Sequence, residues 1–140
     1  MSKKISVAIL GSTGYVGLEL TKILSNHPDV EINYLGSENN ENISISTIDK
    51  SINDKKLPHT RLNKEFDYNT ADTVFLALPH SVSNEYVREN FNKLQIIDLS
   101  ADFRLDQFEV YKHNYGDKHD APDLLNKFVY GLPEFNRNKL

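Results

Sequence analysis

The sequence predicts an α/β fold, with a doubly wound, mostly parallel sheet and helices on both faces. Three observations predict it. Residues 5–10, Ile5-Ser6-Val7-Ala8-Ile9-Leu10, form a short, nearly uncharged, β-rich run, as expected of a parallel strand buried on both faces. That run passes through a glycine-rich turn, Gly11-Ser12-Thr13-Gly14-Tyr15-Val16-Gly17, into an amphipathic helical stretch. Further strand-like runs at residues 30–35, 73–78 and 95–99 follow in an order that needs right-handed crossovers and a parallel sheet.

Bulk properties narrow the function classes. The chain has 140 residues, enough for one domain with a real core. Its net charge of -4 argues against a general nucleic-acid binder, because phosphate contacts need a basic face. No apolar run is long enough to span a bilayer. Met1-Ser2-Lys3-Lys4 leads straight into a strand pattern with no cleavage-site signature, so a cytoplasmic location is expected. The chain has no cysteine, which excludes a disulfide or a catalytic thiol within these residues.

The first strand, its glycine turn and the helix after it form the organising unit, and the arrangement is Rossmann-like. Gly11 suits a tight turn, Gly14 lets a backbone approach a ligand, and Gly17 lets the helix pack on the strand. Val16, Leu20, Ile23 and Leu24 recur at helical spacing, with Glu19 and Lys22 on the other face. Free N–H groups and the positive end of the helix dipole then point at one spot, which suits a pyrophosphate. The spacing Gly-x-x-Gly-x-x-Gly departs from the usual Gly-x-Gly-x-x-Gly, so a purely structural strand–helix joint is the competing reading.

Helix one should stop near Ser25-Asn26-His27-Pro28, since proline disfavours helical geometry just before it. In the second strand, alternation places Val30, Ile32 and Tyr34 on one face. It ends in Gly36-Ser37-Glu38-Asn39-Asn40, where a dinucleotide fold meets the adenosine ribose. Glu38 suits a free ribose 2′-hydroxyl, the NAD case. Ser37 suits a 2′-phosphate, the NADP case. No arginine stands next to them in sequence, and the residues alone leave the two cases even. Residues 41–69 carry little signal beyond Ile43, Ile45, Ile48 and Ile52 at partly helical spacing, with Ser46 or Asp49 as caps. Part of this segment should pack on the sheet edge. His59 and Arg61 read as solvated loop residues.

The run at residues 73–78 ends at Pro79, which has no N–H for the ladder. Leu78, Pro79 and His80 therefore sit at a strand's carboxyl end, where open α/β sheets bind ligands. Ser83 is the expected cap of the next helix, with Val82 and Val87 as a hydrophobic staple. His80 is either a ligand contact or an ordinary loop histidine. After the strand at 95–99, Ser100, Asp102 and Arg104 cluster. The guanidinium of Arg104 suits a carboxylate or phosphate, or else a structural pair with Asp98 or Asp102.

Phe108 and Tyr111 share a helical face. His113, His119 and the nearby aspartates lack a metal-ligand spacing, so no metal is expected. Residues 128–130 read as a short strand, and Pro133 with Glu134 as a helix start. The chain stops six residues later. The expectation is therefore one dinucleotide-binding domain over 1–140, truncated before a further domain.

Four stretches together resemble the N-acetyl-γ-glutamyl-phosphate reductase family, within the aspartate-semialdehyde-dehydrogenase-like superfamily. They are Gly11-Ser12-Thr13-Gly14-Tyr15-Val16-Gly17, Leu76-Ala77-Leu78-Pro79-His80, Asp98-Leu99-Ser100-Ala101-Asp102-Phe103-Arg104-Leu105 and Tyr130-Gly131-Leu132-Pro133-Glu134. Their order and separation match the family across nearly the whole chain. The Ser-Ala-Asp-Phe-Arg stretch is the most diagnostic, and it argues against aspartate-semialdehyde dehydrogenase itself.

The resemblance implies the amino-terminal, NADP-binding part of an enzyme that reduces an acyl phosphate to an aldehyde with NADPH in arginine biosynthesis. In the family a cysteine in an Asn-Pro-Gly-Cys-Tyr motif forms a thioester. That motif lies beyond Leu140, so the resemblance assigns no catalytic residue here and implies that this chain alone is inactive. It implies a cofactor site at Gly11, Ser12, Thr13, Gly14, Tyr15, Val16, Ser37, Leu78, Pro79 and His80, with Ser100 and Arg104 facing the substrate crevice. Glu38 stands where the family often carries an arginine, so NAD is retained as a possible cofactor. The expected partners are a small-molecule cofactor and substrate and, at full length, further copies of the chain, with no nucleic acid and no membrane. The alternatives are the related lysine-pathway aminoadipyl-phosphate reductase and a non-catalytic nucleotide-binding module.

Overall fold

The computed structural model describes residues 3–116 and 118–140. These residues form two compact units. One comprises residues up to 78 together with 92–99, and the other residues 79–91 together with 100–140.

The first unit holds the sheet. Strands β1 (Ile5–Leu10), β2 (Val30–Ser37), β3 (Thr60–Leu62), β4 (Thr73–Leu76) and β5 (Gln95–Asp98) pair in the order β3-β2-β1-β4-β5. Every pairing is parallel. The chain winds outward from β1 to one side through β2 and β3, and to the other through β4 and β5. That reversal at β1 is the topological switch point of a doubly wound sheet, and its carboxyl rim is where such folds take ligands.

Helix α1 (Tyr15–Ser25) ends where expected. The Asn26 side chain donates to the Lys22 carbonyl at 2.8 Å, ahead of Pro28. Its buried stripe differs from the one the spacing predicts. Gly17 and Thr21 are buried, and Leu18, Leu20 and Leu24 pack on the sheet, whereas Val16 is 57% exposed and Ile23 66%. Contact at Gly17 sets this rotation: a Cβ there would lie 2.2 Å from the Gly11 carbonyl oxygen. The glycine therefore brings the helix axis close, and the stripe follows Gly17 rather than Val16.

Register shifts between Val7↔Ile32 and Ala8↔Tyr34, leaving Asn33 as an extra residue in β2. The bulge inverts the side-chain alternation beyond it. Ile32 and Leu35 share the core with Val7, Ile9, Ile45 and Ile52, while Tyr34 packs on Phe66 at 5.1 Å instead of following Ile32.

Residues 41–69 supply more than the expected edge packing. Ser44, rather than Ser46 or Asp49, caps a short 3-10 turn at Ile45–Thr47. Lys22 of α1 reaches Asp49 at 2.7 Å, and that contact, with help from Ser51, holds the Asp49 carboxyl down at about 2. The segment then returns as β3, which at three residues is shorter than any pattern-based strand signal.

In the second unit, α2 (Val82–Asn90), α3 (Phe108–Tyr115) and α4 (Pro133–Asn136) accompany a 3-10 turn at Pro122–Lys127. Tyr111, Phe103, Val87, Ala121 and Leu125 are buried there. Pro133 takes the first position of α4, as expected. Residues 128–130 do not form a strand. Phe128 stacks on Phe103 at 4.3 Å, so packing rather than ladder bonding fixes that segment. Among the described residues, no helix is long and apolar enough to cross a membrane.

Candidate functional site

The glycine turn is fixed from several directions. Gly11 adopts φ +81, and a Cβ on it would sit 2.2 Å from the Ala77 carbonyl oxygen and 3.5 Å from the Leu78 side chain. Only glycine fits there without displacing the β4 end. The Gly11 N–H donates to Asn63 Oδ1 at 3.1 Å. Ser12 donates to the Gly36 carbonyl twice, from its N–H at 2.8 Å and from its hydroxyl at 2.9 Å. Thr13 and Ser37 join their hydroxyls at 3.0 Å, and Ser37 also accepts the Asn40 N–H at 3.2 Å. The turn is thus bolted to the carboxyl end of β2.

Gly14 behaves differently from its neighbours. It takes the N-cap position of α1 at φ -81, a conformation open to any residue. A Cβ on it would meet only the Gly11 carbonyl oxygen, at an ordinary 3.6 Å. The fold itself therefore does not require glycine at this position. Next to it the first N–H groups of α1 have no acceptor within the helix, and no side chain caps them. Open space beside a bare helix start is a cradle that a pyrophosphate fits. Tyr15, 93% exposed, and Val16 flank it without filling it.

The structure sorts the expected cofactor residues by what their side chains already do. Ser12 and Ser37 are buried, with hydroxyls committed to the turn, and the Ser12 N–H is committed with them to the Gly36 carbonyl. Glu38 is exposed. Although no arginine adjoins this spot in sequence, β3 brings one near in space, since Arg61 pairs in register with Gly36. Its guanidinium lies over the Tyr34 ring at 5.7 Å and 3.7 Å from Glu65.

Within the second unit, Asp102 is fully buried and gathers four donors. Its carboxylate accepts the Ser81 N–H at 2.9 and 3.1 Å and the Asn84 N–H at 3.2 Å. His80 Nδ1 lies 2.6 Å from Oδ1, and the Tyr111 hydroxyl 3.4 Å. This corrects one expectation. The start of α2 is capped by Asp102 from a distance rather than by Ser83, whose buried hydroxyl has no partner among the described residues. Being filled by a carboxylate, that helix start is also no anion site. The N-cap residue is Ser81, at φ 72.

The single Tyr111 hydroxyl proton is shared between His80 Nε2 and Asp102 Oδ1. On His80, Nδ1–H donates to Asp102, and Nε2 accepts the Tyr111 O–H at 3.2 Å. Burial, with the Asp102 carboxylate beside it, pushes the Tyr111 phenol up to about 12. The imidazole is thus an oriented, 40% exposed group rather than a free loop histidine. His119 is a structural residue. Its Nδ1 accepts the Ala121 N–H at 3.1 Å and its Nε2 donates to the Asp102 carbonyl at 2.9 Å.

Ser100 accepts the Asp102 N–H at 3.0 Å. Arg104 is exposed and enters no ion pair among the described residues. It lines a shallow pocket of about 300 Å³ with Asp106, Tyr130, Asn136 and Lys139. No group of three histidine or carboxylate ligands gathers among the described residues.

Sequence reading did not single out Asn63, or Asp102 as a cap. Both act across long separations with no local pattern.

Comparison with known proteins agrees with the fold. A family described as "Semialdehyde dehydrogenase, NAD binding domain" matches residues 6–140. An N-acetyl-gamma-glutamyl-phosphate reductase of Ehrlichia chaffeensis is 45% identical over 96% of this chain and 39% of its own. The enzyme of the same name from Methanosphaera stadtmanae is 45% identical over 98% of this chain and 39% of its own. A putative LysW-L-2-aminoadipate/LysW-L-glutamate phosphate reductase of Pyrococcus horikoshii is 42% identical over 97% of this chain. The chain thus spans about two fifths of the length of these relatives. Among solved structures, aspartate semialdehyde dehydrogenase with NADP from Candida albicans shares the fold. Its TM-score is 0.61 at 21% identity, over 76% of this chain and 32% of that one.

Proposed function

The chain belongs to the semialdehyde dehydrogenase family, as its NAD-binding domain, and from that premise we propose that it is the amino-terminal, NADP-binding part of an N-acetyl-γ-glutamyl-phosphate reductase of arginine biosynthesis. The observation that carries the cofactor reading is the open space at Gly14 beside the uncapped start of α1. The substrate reading is supported by the names of the relatives.

In this reading residues 11–16 form the pyrophosphate cradle, with the uncapped N–H groups at the start of α1 as its donors, and Ser37 marks the ribose end. Leu78, Pro79 and His80 hold the remainder of the dinucleotide, and Ser100 and Arg104 belong to the substrate crevice. When bound, the cofactor supplies the hydride that takes an acyl phosphate to an aldehyde. This chain contributes the cradle and no nucleophilic cysteine, since it contains none. By itself it binds cofactor without turnover. The same reading puts it in the cytoplasm and has the longer protein assemble as a homo-oligomer. A carrier-bound aminoadipyl phosphate is the second candidate substrate, favoured by the 42% identity to the Pyrococcus horikoshii protein.

Calorimetric titration of NADPH and NADH into the chain tests the cofactor assignment. Weak binding with NADPH ahead is expected. Tighter NADH binding would overturn the NADP assignment and make Glu38 the reader of the ribose.

A further inference from the structure

The ladder of β1 ends at Leu10, which pairs with Gly36, so the Gly11 N–H has no strand partner. Asn63, one residue past β3, supplies the acceptor at 3.1 Å. It reaches that point because Gly36 has no Cβ. One built there would lie 2.5 Å from Asn63 Oδ1 and 2.7 Å from the Leu10 side chain. The bonded N–H fixes which end of the amide faces the turn. Gly11 in turn sits in the left-handed region, and its carbonyl accepts the Gly14 N–H at 3.2 Å. Asn63 is therefore tied, through one residue, to the cradle at Gly14.

Backbone anion sites depend on N–H groups held in fixed directions. We propose that Asn63 is a positioning residue for the dinucleotide pyrophosphate: it pins the Gly11 turn so that the N–H groups after it face the phosphates. The inference rests on the dinucleotide reading above and adds to it a residue on β3's side of the sheet that does not itself hold the ligand. Its acceptor oxygen orients the turn, and the missing Cβ of Gly36 gives it access.

The test uses the whole 140-residue chain and ligand-observed NMR titrations with three probes. NADPH and ADP carry a pyrophosphate, and adenosine 2′-monophosphate does not. In Asn63→Ala, NADPH and ADP should each weaken about tenfold, with adenosine 2′-monophosphate unchanged. Gly36→Ala, which displaces the amide, should give the same selective loss and add little to it in the Asn63→Ala background. Asn63→Gln, which moves the acceptor by one methylene, offers a milder variant with the same expected pattern. A merely structural role would lower all three affinities together, and that result would overturn the proposal. So would unchanged NADPH and ADP affinities in a folded Asn63→Ala. If the unsubstituted chain binds none of the three, the dinucleotide reading itself fails.

Discussion

The Asp102 carboxylate accepts the backbone N–H of Ser81 with both oxygens, at 2.9 and 3.1 Å, and by doing so caps a helix whose N-cap residue lies twenty-one residues earlier in the chain. Ser81 needs that help. At φ 72 it holds a conformation that costs a non-glycine residue about 1 kcal/mol. Its own hydroxyl makes no cap bond.

Replacing Asp102 by alanine removes the acceptor for the Ser81 and Asn84 N–H groups and for His80 at once. The expected loss is about 3 kcal/mol of stability, since buried donors are left without partners. Denaturant unfolding measures it. A loss within about 0.5 kcal/mol, the range of ordinary surface substitutions, would show that water replaces the carboxylate and that the cap is incidental.

Two tyrosines, Tyr111 buried and Tyr86 half-buried, should behave oppositely. Tyr111 bonds to His80 at 3.2 Å, whereas the buried Tyr86 hydroxyl has no partner among the described residues. Tyr111→Phe should cost about 1 kcal/mol at neutral pH, and Tyr86→Phe nothing or a small gain. Both phenols are pushed up to about 12, mainly by burial. The unfolded chain ionises near 10, so the stability these groups contribute is complete below about 10 and is lost as pH rises toward about 12. Alkaline unfolding followed at several pH values should show a shallower decline in each phenylalanine variant.

Glu38 is exposed at the end of β2, beside the buried Ser37. In the proposed reading its charge works against a 2′-phosphate. Glu38→Arg should raise NADPH affinity about tenfold, as expected when a repulsive charge becomes a bidentate donor, and leave NADH affinity nearly unchanged. Equal gains for both coenzymes would place the 2′-phosphate elsewhere.

Much of the fold was legible because its signals are local. The β1 run, the glycine turn, the stop at Pro28 and the strand runs at 73–78 and 95–99, which pair as strands over 73–76 and 95–98, each follow from residues adjacent in sequence. What escaped was set by contacts between distant residues. Three-residue β3 exists because β2 offers it an edge, and the bulge at Asn33 moves Tyr34 off the face that alternation gives it. The candidate site divides in the same way. Gly11 and Gly14 announce themselves by spacing. Asn63 and Asp102 are recognised only when the fold brings them to a bare N–H. Ser12 and Ser37 lie in the expected place, yet their hydroxyls are spent on holding the turn rather than left free for a ligand.

The central claim is that the space left at Gly14 belongs to a coenzyme pyrophosphate, and a titration of NADPH into Gly14→Val beside the unsubstituted chain tests it most directly. The backbone at position 14 accepts valine, and nothing of the fold stands closer than 3.6 Å to its Cβ, so the melting temperature should hold. The account predicts that NADPH binding disappears in this folded variant. A Gly14→Val chain that binds NADPH as well as the original would contradict it.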